Sequence, residues 1–239
     1  SEEELLRIAG RLYETTGLSL AAGCAGLASV LPELFGWQKK EASEPSDCVK
    51  GLLVACGSVN PITVSQMEYA SAHGFQRRRL TPAEKLTEGY WESAAGKERV
   101  RELARAAKEN GRLIIDTNDE AGSGETLAYA EAHGISTERL RKQITVSLGA
   151  LLKRMLEEAV ERTMLIVGGD TLLGFLEQLG VSEMRPVCEL LPGTVLSEFT
   201  KDGRTYRLIS KSGGFGEPEL LPELEKLLTK GEESDSCAA

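Results

Sequence analysis

The chain has 239 residues, a formal net charge of −9 and a charged fraction of 27%. That composition is ordinary for a folded globular protein and long enough to bury a sizeable core in one large or two small domains. The negative balance, with no dense Lys/Arg stripe, argues against a nucleic-acid binder, which needs a basic face. Five cysteines, at 24, 48, 56, 188 and 237, form no CxxC pair, and His73 and His133 are the sole histidines. A zinc site is not expected, and the thiols read as reduced in a cytoplasmic protein. Cys56, inside "GLLVACGS", reads as a small buried residue. No apolar run reaches membrane-spanning length and no signal-peptide pattern opens the chain.

In chain order, "SEEELLRIAGRLYETTG" places Ser1 and Glu4 in capping-box register. Leu5, Leu6, Ile8, Ala9 and Leu12 form one helical face, which Gly17 ends. "LSLAAG" reads as a short strand and "CAGLASVLPELFG" as a helix despite Pro32. "WQKKEASEPSD" reads as a linker. A second unit starts near Cys48. "KGLLVACGS" is a buried strand, and "PITVSQMEYASAHG" a helix from Pro61 to Gly74. "FQRRRL" is a strand whose arginines, Arg77 to Arg79, fit a solvated end or ion pairs better than a ligand clamp. "GKERVRELARAAKENG" is an amphipathic helix and "RLIIDT" a strand. "NDEAGSGETLAYAEAHG" lacks periodicity and reads as an irregular excursion. Ile135 to Arg162 is a long helical pattern. "TMLIVGGD" is a strand running into a helix from Thr171 to Gly180. Three strand-like runs follow, parted by Pro192-Gly193 and by Asp202-Gly203, the latter a hairpin signal. A last helix, "PELLPELEKLLTKG", precedes a frayed tail.

Strands alternate with helices until the end, where strands gather. The fold class expected is α/β: a three-layer αβα sandwich with a parallel or mixed sheet and antiparallel strands near the C-terminus. The domain expectation is a remnant and linker over 1–45, a main domain over 46–231 and a tail over 232–239.

Three glycine-bearing junctions leave strands: "CGSVNPIT" (Cys56 to Thr63), "GGDT" (Gly168 to Thr171) and "KSGGFG" (Lys211 to Gly216). In a parallel α/β sheet, ligands collect beyond the carboxyl ends of strands, and helix N-termini there favour anions. Each junction alone reads equally as a turn, a helix cap or a loose loop, and none matches a P-loop or GxGxxG pattern. Together they suit one anion-binding crevice.

"LLVACGSVNPITVSQMEYA", "LIVGGDTLLGFLEQLGV", "ELLPGT" and "LISKSGGFGEPELL" resemble, in order and spacing, the nucleotide-binding domain of the four-carbon acid sugar kinase family. Its members are similar to D-threonate, D-erythronate and 3-oxo-tetronate kinases. The resemblance implies two domains, one for the sugar acid and a C-terminal one for ATP with Mg²⁺. It implies nucleotide contacts at Ser58, at Gly168, Gly169, Asp170 and Thr171, and at Gly213 and Gly214. Lys211 can neutralise phosphate charge, its other reading being a solvated strand residue. Asp170 and Asp116 are candidates to reach a metal or its waters, against readings as a helix cap and a solvated strand end. "LSLAAGCAGLASVL" resembles the family's "GSAGLA" segment, with Cys24 where serine is commoner; a thiol is the weaker donor. The family's opening Asp-Asp loop has no counterpart here, because no "DD" occurs. The expectation is therefore the C-terminal part of such a kinase, as a fragment or half of a split enzyme. The catalytic base is unassigned. The partners implied are ATP or ADP, and a four-carbon sugar acid if the substrate domain is supplied. A homo-oligomer or a separate substrate-domain chain would cover the apolar surface of residues 1 to about 37. The rivals are a non-catalytic nucleotide-binding module and an α/β oxidoreductase. The latter wants GxGxxG and an acidic residue about 20 positions on.

Overall fold

The computed structural model describes residues 1–17, 20–38, 51–160 and 162–235, with side chains to residue 229. The chain divides into a unit of Ser1–Ala42 and a unit of Ser43–Ala239.

In the first unit, α1 (Glu2–Thr16) starts with the capping box: Ser1 Oγ accepts from Glu4 N–H, and the Glu4 carboxylate bonds back to the Ser1 amine. Gly17, at φ 67°, ends it. The helix α2 (Ala25–Leu34) carries Pro32 inside it. The strand expected over "LSLAAG" is not formed at residues 20–23, which are irregular; residues 18–19 lie outside the described residues. A strand needs a neighbour for its N–H and C=O groups, and among the described residues this unit has helices only. Ile8, Leu12, Tyr13 and Trp37 stay exposed.

The second unit is the expected αβα sandwich. Seven strands form one sheet in the order β2-β3-β1-β4-β7-β6-β5. They are β1 (Leu52–Cys56), β2 (Gln76–Arg79), β3 (Arg112–Asp116), β4 (Thr163–Val167), β5 (Arg185–Leu191), β6 (Thr194–Lys201) and β7 (Arg204–Lys211). Strands β2, β3, β1, β4 and β7 run parallel, whereas β5, β6 and β7 form an antiparallel meander. The β6–β7 hairpin turns at Asp202 and Gly203, with φ 51° and 75°. That pair of left-handed residues suits the twist of a two-residue hairpin.

Strands β1 and β4 are buried at every position, so their residues alternate between two cores. On one face Leu53, Ala55, Met164 and Ile166 pack with residues of α5 (Ala94–Asn110), α7 (Thr137–Glu157) and α8 (Gly169–Leu179). On the other, Leu52, Val54, Leu165 and Val167 pack with residues of α3 (Pro61–Ala72) and α9 (Leu220–Asp235). Helix α9 continues through Asp235, beyond the expected end of the helix; residues 236–239 lie outside the described residues, as does most of the expected linker.

Two further departures concern short elements. "TPAEKL" forms α4 (Pro82–Leu86), started by a Thr81–Glu84 capping box, and Tyr90–Glu92 is a 3₁₀ turn. The stretch read as an irregular excursion contains α6 (Glu125–Ala132). Its polar surface hid the helix, since only Thr126 and Ala130 are buried. Helices α3 and α6 end alike. Tyr69–His73 and Tyr129–His133 stack with ring centroids 3.9 Å apart, each imidazole Nδ1 bonded to the tyrosine carbonyl, and a glycine follows. Both histidines are thus occupied as helix ends.

Helices α7 and α8 cross where both carry glycine. A Cβ on Gly149 would lie 2.5 Å from the Gly174 carbonyl oxygen. Gly149→Ala is expected to lower stability by about 1–3 kcal/mol, the usual cost of overpacking. Urea unfolding measures this; an unchanged midpoint would show that the crossing has room to spare.

Candidate functional site

The parallel strands deliver their carboxyl ends to one edge. β1 ends at Cys56, β3 at Asp116, β4 at Val167 and β7 at Lys211, with Cys56 in register with both Asp116 and Val167, and Val167 with Lys211. The loops leaving them are joined backbone to backbone. Gly57 N–H donates to the Val167 carbonyl at 3.2 Å, Thr117 N–H to Cys56 at 3.0 Å and Gly168 N–H to Lys211 at 3.1 Å.

Ser58 is the hub. A Cβ built on Gly213 would lie 2.7 Å from Ser58 Oγ, and one on Gly168 would lie 3.7 Å from Ser58 N. A Cβ on Gly57 would lie 2.0 Å from Thr171 Oγ1. The structure therefore brings Ser58, Gly168, Thr171 and Gly213 together, and Gly214 follows beside Asn60. Glycine is demanded most clearly at Gly168, which combines that approach with φ 109°. Gly169 and Asp170 are exposed in the first turn of α8, and a Cβ on Gly169 would meet nothing within 4 Å.

Several other backbone donors at this place are unused. Helix α3 is capped by its own Asn60, whose Oδ1 accepts from Ile62 N–H at 2.9 Å. Helix α8 has no side-chain cap at Gly168. This removes the reading of "GGDT" as a turn capped by Asp170 or Thr171. Among the described residues, the N–H groups of Ser58, Gly169, Asp170 and Thr171 donate to no protein acceptor, nor do those of Gly213, Gly214, Phe215 and Gly216. Such a cluster at a helix N-terminus is suited to an anion.

Two side chains stand differently from expectation. Lys211 is not solvated: it is 2% exposed, and its Nζ donates to the Ser212 carbonyl at 2.8 Å. Burial pulls its pKa from near 10.5 down to about 8. Asp116 is neither a solvated strand end nor a free metal ligand. It is fully buried; its Oδ2 accepts from Arg77 Nε at 2.7 Å, while Oδ1 accepts from Asn118 N and Nδ2 at 2.9 and 2.8 Å. Arg77 and Arg79 thus belong to ion pairs, with Asp116 and Glu120. Cys56 is buried, and burial first, then Asp116, pushes its thiol pKa up.

The sequence reading missed the residues beneath the loops. Asn118 Nδ2 donates to the Ser58 carbonyl at 3.0 Å and so ties the first loop to β3. Lys85, 1% exposed, bonds the Thr117 carbonyl at 3.0 Å, Asp119 at 2.6 Å and Thr126, and fixes the segment carrying Asn118. Burial raises the pKa of Asp119, but the bonds from Lys85 and Thr126 outweigh it and hold the carboxyl low. Thr63 and Gln66 reach the third loop from α3. Their signal was polar residues in the buried stripe Thr63, Gln66, Met67, Ala70 of that helix.

Two concavities lie elsewhere. One of about 520 Å³ is lined by residues at the amino ends of β4 and β7; one of about 430 Å³ lies between Tyr90–Trp91 and α7. Neither includes the glycine junctions.

Lys211 gives a pH-dependent prediction. Its folded pKa is below its unfolded one, so the unfolded chain binds more protons between pH 8 and 10.5 and stability rises with pH there. Lys211→Met carries no such penalty. Its Tm relative to the wild type is expected to fall as pH rises from 7 through 10. Thermal scans across that range check this, and a pH-independent difference would contradict it.

Residues 53–221 match the family model described as "Nucleotide-binding C-terminal domain". The chain is 27% identical over 233 residues to 3-oxo-isoapionate kinase of Paraburkholderia graminis, covering 90% of this chain and 48% of that protein. It is 25% identical over 226 residues to D-threonate kinase of Salmonella typhimurium, covering 92% and 51%. The chain spans about half the length of the curated relatives it matches. A solved structure from Salmonella typhimurium LT2 shares the fold with a TM-score of 0.67 at 20% identity, over 98% of this chain and 51% of that one. A family model that covers most of the second unit, with two sugar-acid kinases among the relatives, identifies this chain as belonging to the nucleotide-binding C-terminal domains of the four-carbon acid sugar kinase family.

Proposed function

We propose that this chain binds ATP with Mg²⁺ and forms the nucleotide half of a kinase that phosphorylates a hydroxyl of a four-carbon sugar acid. The observation that carries the reading is the convergence on Ser58 of three strand-end loops whose backbone N–H groups have no protein acceptor. Ser58, Gly168, Gly169, Asp170, Thr171, Gly213 and Gly214 line the phosphates in this reading. The hydroxyls of Ser58 and Thr171 add to the backbone donors.

Mg²⁺ needs only one or two carboxylates when phosphate oxygens and water complete its shell. Asp170, exposed beside the free N–H groups of α8, fits that demand, whereas Asp116 is consumed by Arg77 and Asn118. Bound there, the ion would supply charge neutralisation to the phosphates. The protein's part is to hold the triphosphate by fixed donors and to keep it rigid while an acceptor hydroxyl is brought in line. The groups that hold the acid and take its proton belong, in this reading, to the half of the kinase that this chain does not span.

Calorimetry with ATP and Mg²⁺ is expected to give saturable binding. Gly169→Val is expected to weaken it by at least about tenfold, which is ~1.4 kcal/mol. Its Tm should stay within a few degrees, because a Cβ at this position would have no neighbour within 4 Å. No heat with millimolar nucleotide would contradict the reading, and equal losses of binding and stability would mark Gly169 as a turn residue only. In an ADP-release assay, the chain alone should turn over no sugar acid at an enzyme-like rate. Adding a substrate domain in trans should restore turnover; binding with no turnover in either case would favour a non-catalytic module.

A further inference from the structure

The third loop, residues 212–217, has an unusual backbone arrangement. Its carbonyl groups are held from within the protein. Lys211 Nζ takes the carbonyl of Ser212 at 2.8 Å, and Thr63 Oγ1 takes that of Gly213 at 2.8 Å. Gln66 Nε2 lies 3.0 Å from each of the carbonyls of Phe215, Gly216 and Glu217. Gln66 and Thr63 are fully buried. An amide nitrogen has two protons, so three carbonyls share them. The other end of the same amide, Gln66 Oε1, is buried with no hydrogen-bond partner. A buried polar atom left unpaired costs stability, and natural proteins contain few. Gln66 is therefore oriented for its donor end.

A peptide group whose carbonyl is fixed has its N–H direction fixed as well, because the peptide unit is planar. The held carbonyls of Ser212, Gly213 and Phe215 thus fix the N–H groups of Gly213, Gly214 and Gly216, which have no protein acceptor, and Gly213 abuts Ser58. We propose that Gln66, seconded by Thr63, is a positioning residue for nucleotide binding: by holding the carbonyls of Phe215 and Gly213, the two side chains set the Gly216 and Gly214 N–H groups that receive phosphate. Lys211 serves in the same underpinning through Ser212. The inference rests on the nucleotide reading above and adds residues that touch no ligand.

The test uses Gln66→Leu, which keeps bulk and loses the donors, and the pair Thr63→Val and Thr63→Ser, which removes and keeps the hydroxyl. ¹⁵N relaxation of the Gly213, Gly214 and Gly216 amides reads loop order without nucleotide. Calorimetry reads the Kd for ATP and for adenosine, which has the same base and sugar but no phosphate. In the wild type the three amides should be as rigid as those of β7. The Gly216 amide should become mobile in Gln66→Leu and the Gly214 amide in Thr63→Val; in both the Kd for ATP should rise at least tenfold and that for adenosine should hold. Thr63→Ser should behave as wild type. If Gln66→Leu does not fold, the threonine pair carries the same comparison. Folded variants with rigid loop amides or unchanged ATP affinity would overturn the proposal, as would equal losses for ATP and adenosine. A wild type with an ordered loop that binds no ATP would instead overturn the nucleotide reading, and with it the role assigned here.

Discussion

The parallel pairing of β7 with β4 is the constraint on which the site depends. Val167 lies opposite Lys211, so the loop after β7 leaves the sheet beside the loop after β4, and Gly168 N–H closes on the Lys211 carbonyl. β1 does the same on the other side of β4. Three loops then share a space that side chains would fill: a Cβ on Gly57 would meet Thr171, one on Gly213 would meet Ser58, and Gly168 needs glycine for its φ of 109°. Had β7 added to the meander without returning to β4, the third loop would sit elsewhere and the first two would face only solvent.

What the loops offer an anion is mostly backbone. The buried ammonium of Lys211 is spent on a carbonyl and depressed by burial, and that of Lys85 is spent on Thr117, Asp119 and Thr126. On the proposed reading, the site works by direction more than by net charge. Amides at an uncapped helix start, and amides of a loop whose carbonyls are tied down, point their dipoles outward without a mobile side chain. That suits an acidic chain, in which the field of the whole protein does not attract phosphate.

Much of this was legible in the sequence. Runs such as "LLVAC" and "TMLIV", too apolar for one-sided strands, announce central parallel strands, and the glycines after them announce close approach. The Asp-Gly turn and the capping box at Ser1 formed as read. Other features were hidden for physical reasons. Helix α6 buries too little to show a period. Lys211 and Asp116 were read by residue type, whereas strand register buries both and hands Asp116 to Arg77, 39 positions away. Gln66 and Thr63 act across about 150 residues of chain, and no local pattern marks a bond of that span. The polar interruption of an apolar helical stripe was the one visible trace.

The central claim is that one anion-binding place is built from three distant segments. The most direct measurement is an amide chemical-shift titration of the labelled chain with ADP and Mg²⁺. The account predicts that Ser58, residues 169–171 and residues 213–216 shift together, with one common affinity. Shifts confined to one segment, or centred on the cavity beside Tyr90 and Trp91, would contradict it.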